Sequence, residues 1–204
     1  MRTGTVGAVA LTVSLVCVCS ACGAGSPPSH GKHHSQSTTT TAPPPRPTTS
    51  TTSAGAAPAR CTFAQLSISL GQSGAGLGHE GGTVLFKNVG TAECTLSGYP
   101  GVAALDSRGT QVEQARRDPG GYLGGLQTGS TTPPVVVLEV GAVASAMVEG
   151  TDVPVGTATS CPTYPALLVT PPTSTQSRRV TLSLPGCSPL QVHPVVPGTT
   201  GSTR

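Results

Sequence analysis

The sequence predicts an all-β fold over residues 61–197: a two-sheet antiparallel β-sandwich, immunoglobulin-like in outline. Short runs alternate apolar with small polar residues, and Gly and Pro interrupt them at close intervals. No stretch keeps an i, i+3, i+4 apolar stripe over three turns.

The expected elements follow in order. Leu66, Ile68 and Leu70 alternate with Ser67 and Ser69, the period of a half-buried strand. Gly76-x-Gly78-x-x-Gly81 reads as a flexible hairpin loop before an apolar strand at Thr83–Phe86. Asp106-Ser107-Arg108-Gly109 is a turn between strands, and Val112–Arg117 makes one helical turn at most. Continuous apolar runs at Val135–Leu138, Val143–Val148 and Ala166–Val169 fit strands near the core. Alternation returns at Val180, Leu182 and Leu184, then at Leu190 and Val192. Seven or eight short strands in a region of this size suggest a sandwich.

Cys61, Cys94, Cys161 and Cys187 form an even set, read as two disulfides with three possible connectivities. Cys61–Cys94 with Cys161–Cys187 is favoured, because each pair then ties neighbouring strands in one half of the chain. Loops of that size contribute roughly 3.5 kcal/mol each in the chain-entropy description. The staples matter because the chain holds two Phe, three Tyr and no Trp to fill a core. A four-cysteine zinc site lacks the close cysteine pair it needs.

The N-terminus reads as an export signal. Arg2 precedes an apolar run from Val6 to Val18, too short to span a bilayer, and Ser20-Ala21 places small residues directly before Cys22. Residues 1–21 are therefore expected to be a lipoprotein signal peptide and Cys22 the lipidated (palmitate-bearing) residue. Cleavage would separate the sulfurs of Cys19 and Cys22, which sets aside a redox C-x-x-C. Residues 22–60, rich in Ser, Thr and Pro, hold almost no large apolar side chain and are expected to form a disordered tether, with residues 198–204 a disordered tail. The Ser/Thr runs are candidate glycosylation acceptors. His30, His33 and His34 lie in the tether without a carboxylate or thiolate neighbour and read as a solvated cluster.

Charge excludes one class of partner. The chain carries a formal +3, but Arg2, Lys32, Arg46, Arg60 and Arg204 lie outside the domain, leaving six cations against eight carboxylates. A nucleic-acid partner needs a clustered basic face to neutralise phosphates, so none is expected.

Motifs for catalysis fail on context. The glycine spacing at Gly76–Gly81 matches a dinucleotide fingerprint, but a strand follows where a helix must. His79-Glu80 opens a zinc-protease motif that Thr83 ends. No Gly-x-Ser-x-Gly elbow occurs, the domain holds only His79 and His193, and Asp106, Asp118, Glu139 and Asp152 are scattered, so no paired acid and base is visible. No enzyme activity, cofactor or metal is expected. The long segment Glu113–Pro134, with Arg116, Arg117 and Tyr122 among glycines, is the candidate recognition loop.

Phe86-x-Asn88-x-Gly90 and Cys94-x-Leu96-x-Gly98-Tyr99-Pro100-Gly101-Val102 together resemble the segment that marks the actinobacterial domain of unknown function 4232. Cys161-Pro162, Leu168-Val169-Thr170-Pro171-Pro172 and Cys187 resemble its second half. Leu138-Glu139-Val140-Gly141 departs from the family's Leu-x-Pro-Gly, which concerns only a local turn. The resemblance implies an exported protein, often a lipoprotein behind a Ser/Thr/Pro tether, with no established enzymatic activity. The expectation is a monomeric lipoprotein on the extracytoplasmic face of the cell membrane, held there by its lipid. Its domain binds or scaffolds an envelope protein, glycan or lipid. The alternatives are a structural wall protein, a lipid carrier with an apolar cavity and, last, a hydrolase. Tyr99 in its Gly-Pro corner and Asn88 at a strand end read as structural.

Overall fold

The computed structural model describes residues 57–204. The signal segment 1–21, Cys22 and the tether up to residue 56, with its His30, His33 and His34, lie outside the described residues.

The described residues contain no α-helix; a 3-10 turn at Phe63–Gln65 precedes the first strand. The strands are β1 (Leu66–Gly76), β2 (His79–Asn88), β3 (Cys94–Ser97), β4 (Gly101–Leu105), β5 (Gln111–Gln114), β6 (Arg116–Arg117) and β7 (Val135–Leu138). After them come β8 (Val143–Thr151), β9 (Thr163–Tyr164), β10 (Ala166–Thr170), β11 (Arg178–Val180), β12 (Leu184–Pro185), β13 (Gln191–Val192) and β14 (Val196–Pro197). One sheet has the order β1-β2-β8-β13-β6, with β14 also paired to β8; the second is β11-β10-β4-β5. Two short ladders, β12-β9 and β3-β7, complete the fold. Every ladder is antiparallel except β13 with β6.

The two main sheets share one core. Val84 and Phe86 from β2 and Ala144, Ala146 and Val148 from β8 belong to the same buried cluster as Val102 and Ala104 from β4 and Leu167 and Val169 from β10. Phe86 is the only phenyl ring fully buried, so the core rests on branched aliphatics and alanine. Burying a side chain of that size contributes about 2–3 kcal/mol. Cys61 is bridged to Cys94 and Cys161 to Cys187, which closes loops of 33 and 26 residues. Each bridge lies beside a backbone bond, from Cys61 N–H to Thr95 O and from Cys187 N–H to Thr151 O.

The structure sharpens several local expectations. Val112–Arg117 makes no helical turn: Ala115 donates to Val102 O at 2.8 Å, and the chain passes straight from β5 in one sheet to β6 in the other. Val135–Leu138 is not a fully buried run. Only Val136 and Leu138 face the core, while Val135 is 69 % exposed on the opposite face of β7. The glycine-rich loop at 76–81 is a tight two-residue turn, in which Leu77 and Gly78 both take positive φ of 47° and 77°. That is the backbone that matches strand twist in short hairpins. Gly81 lies within β2.

The domain also reaches beyond 61–197. Ala59 O accepts Thr95 N–H, so pairing begins inside the expected tether. The tail 198–204, expected to be disordered, is packed. Gly201 N–H donates to the buried Ser145 hydroxyl at 2.8 Å, Gly125 N–H to Gly201 O, and Thr203 N–H to Gly125 O. These bonds satisfy backbone groups of both segments, so composition alone misjudged the tail.

Asn88 is completely buried and joins three segments. Its amide donates to Ala92 O and Leu138 O at 2.9 Å, and its carbonyl accepts Gly90 N–H at 2.9 Å. The turn at Glu139–Ala142 closes beside it, with Gly141 N–H donating to Asn88 O and Ala142 N–H to Glu139 O. Asn88→Ala leaves these partners unmatched and is expected to cost roughly 2–3 kcal/mol. Denaturant unfolding should show a lower midpoint with an unchanged slope.

Candidate functional site

The candidate recognition segment Glu113–Pro134 is less a loop than expected, because a buried acid and a buried histidine hold its centre. Glu149, on β8, and His193, just after β13, are 1 % and 0 % exposed. Glu149 Oε1 accepts Tyr122 N–H at 2.9 Å and Oε2 accepts Leu123 N–H at 2.7 Å. His193 Nε2 lies 3.3 Å from Glu149 Oε1, and Nδ1 lies 2.9 Å from Asp118 O. A backbone carbonyl only accepts, so Nδ1 carries a proton. Nε2 lies against the carboxylate without a well-aligned hydrogen bond.

Burial alone would push the Glu149 carboxyl up. The His193 side chain and the Leu123 and Tyr122 N–H groups outweigh it and hold the group below its ordinary value of 4.5. The loop crosses this pair at Gly121, where a Cβ would overlap the Glu149 carboxylate and the His193 ring. Any side chain there would displace the loop or the pair. From Gly121 the loop doubles back, with Gly121 N–H donating to Gly124 O and Leu126 N–H to Pro119 O, and Leu126 is buried. Arg204 from the tail donates to Gly121 O and Gly124 O.

The three predicted recognition residues do not form one surface. Arg116 and Arg117 are exposed on β6, in parallel register with Gln191 and Val192. Tyr122 stacks on His79 with ring centroids 5.1 Å apart, against Gly76 at the β1–β2 hairpin. Arg117 instead lines an open groove of about 480 Å3 with Tyr99, Gln114 and Thr173. Glu113 does not face solvent as a loop carboxylate would. It accepts the Tyr164 hydroxyl at 2.7 Å and Leu190 N–H at 2.6 Å.

Sequence reasoning missed Glu149 and set His193 aside for want of a partner. One signal was present: a single carboxylate interrupting the apolar run between Val148 and Gly150. Because β8 is buried on both faces, alternation could not reveal which way Glu149 points. Among the described residues, no group of three or more His, Cys, Asp or Glu side chains is placed to hold a metal ion. No helix among them is long and apolar enough to cross a membrane.

A family model described as a domain of unknown function, DUF4232, matches residues 61–196, from the first disulfide cysteine into β14. The chain belongs to that family. Neither the curated proteins nor the solved structures contain a match to it. The paired Asn88, the Cys61–Cys94 bridge and the Glu149–His193 pair all lie inside the DUF4232 domain.

Two outcomes follow from the geometry. Because the Glu149 pKa is depressed on folding, its contribution is full above 4.5 and is lost as pH falls through the folded value. Stability should therefore decline with acidification below that pH. Glu149→Gln should flatten that limb, cost about 3 kcal/mol at neutral pH and speed amide exchange at Tyr122 and Leu123. Burial, with the Glu113 hydrogen bond and charge, pushes the Tyr164 phenol up to about 12. Phenolate absorbance should show one tyrosine ionising there, and Tyr164→Phe should remove that step.

Proposed function

We propose that this chain is a lipid-anchored envelope protein whose domain binds or scaffolds on the extracytoplasmic face without catalysing a reaction. One observation carries the non-catalytic part: the acid–base pair at the heart of the candidate site is consumed in building it. Both Glu149 oxygens accept loop N–H groups, both His193 nitrogens face acceptors, and the pair is sealed from solvent. A general base must reach the proton that it abstracts, and neither ring nitrogen is left to face a nucleophile.

The anchor reading rests on Ser20-Ala21-Cys22 after a short apolar run, and two formed disulfides suit an oxidising compartment. The space between the sheets is occupied by Phe86, Leu167 and their neighbours, which favours scaffolding or surface binding over carrying a lipid inside.

Metabolic palmitate labelling tests the anchor. Label should enter the wild-type chain in the membrane fraction, and Cys22→Ser should abolish both label and membrane retention. Crosslinking on intact cells should then recover an envelope component bound to the domain. Recovery of full-length protein from the cytosol with reduced thiols would refute the reading.

A further inference from the structure

Resting on that binding reading, we infer that the groove at the end of the second sheet, where β4 begins and β10 ends, is a binding site for an anionic glycan. Tyr99, Gln114, Arg117 and Thr173 line it. Two further grooves meet it at Thr173, one of about 400 Å3 and one of about 290 Å3, and Arg60 lines both. The loop after β10 is thus a ridge with an arginine on either side, a shape for an extended chain rather than a compact molecule.

The charge distribution favours an anion. Arg60 and Arg117 are exposed, and neither pairs with a carboxylate among the described residues. Guanidinium groups left in this way suit carboxylate or phosphate substituents, which they grip with paired N–H donors. Two of the domain's carboxylates, Glu113 and Glu149, are turned to internal N–H groups, so the surface is less acidic than the residue count implies.

The other groups suit the sugar part of the chain. Tyr99 offers a half-buried ring. Its phenol is held above the usual range by burial and then by Asp118, with Arg117 opposing, so both charged groups act on this corner. The hydroxyl stays protonated at neutral pH and remains free to donate. Thr173 takes a positive φ of 63°, a strained state for a β-branched residue, at the point that all three grooves share. Such strain persists where neighbours over-determine the backbone and is found preferentially at binding sites.

The test uses full-chain protein in detergent micelles titrated calorimetrically with an oligogalacturonide, a phosphomannan fragment and neutral dextran. Binding of at least one anionic probe, with dextran silent, is expected; the two anionic arms decide between carboxylate and phosphate. Arg60→Ala combined with Arg117→Ala should weaken binding about tenfold or more, the loss of charge-assisted hydrogen bonds. Tyr99→Phe should weaken it severalfold, while Arg108→Ala, in the turn at the opposite end of β4, should leave it unchanged. Silence with all three probes would overturn the inference, and so would equal weakening by Arg108→Ala. Cleavage of a probe, seen as new reducing ends, would instead overturn the non-catalytic reading on which the site rests.

Discussion

A carboxylate removed from water must find donors, and the way Glu149 finds them fixes the 119–125 loop and, through it, the C-terminal tail. Its donors are backbone N–H groups of a loop that is remote in sequence, and the His193 ring, from a strand-end beside β8, lies against it. The loop can lie close enough only because residue 121 is glycine. Once seated, the loop buries Leu126 and presents the backbone groups that tie down Gly201, Thr203 and Arg204. A pair that resembles catalytic apparatus in composition acts as the fastening of a loop and a tail.

The same inward use of acids decides what the outside offers. Glu113 bonds Leu190 N–H and the Tyr164 hydroxyl, so the strand that passes from one sheet to the other is held at its crossing point. The arginines that follow it on β6 stay in solvent. With Arg60 and Arg204 inside the folded part, its eight cations equal its eight carboxylates, and only the groups facing outward meet a partner. The unpaired arginines of the groove are the visible consequence of this inward use of acids.

Strand positions were legible where one face meets the core and the other meets water, as at Leu66 and Ile68. They blurred where both faces are buried, as in β8, or where an edge strand exposes valines, as in β7. The Asp106 turn and the disulfide pairing were readable because they rest on local or near-neighbour geometry. The order in the tail and in the 119–125 loop was not. Both are poor in apolar residues and look like linkers, yet each supplies the hydrogen-bond partners that the other lacks.

The sequence by itself determined the fold class, the number of bridges and the family, since alternation, cysteine count and the Cys-Thr-Leu-Ser-Gly-Tyr-Pro stretch are local properties of the chain. Only the tertiary structure decided that Glu149 meets His193, that Arg117 joins Tyr99 rather than Tyr122, and that the tail packs. Those contacts join residues brought together by sheet order, and no periodicity in the chain records which distant backbone N–H a buried carboxylate will reach.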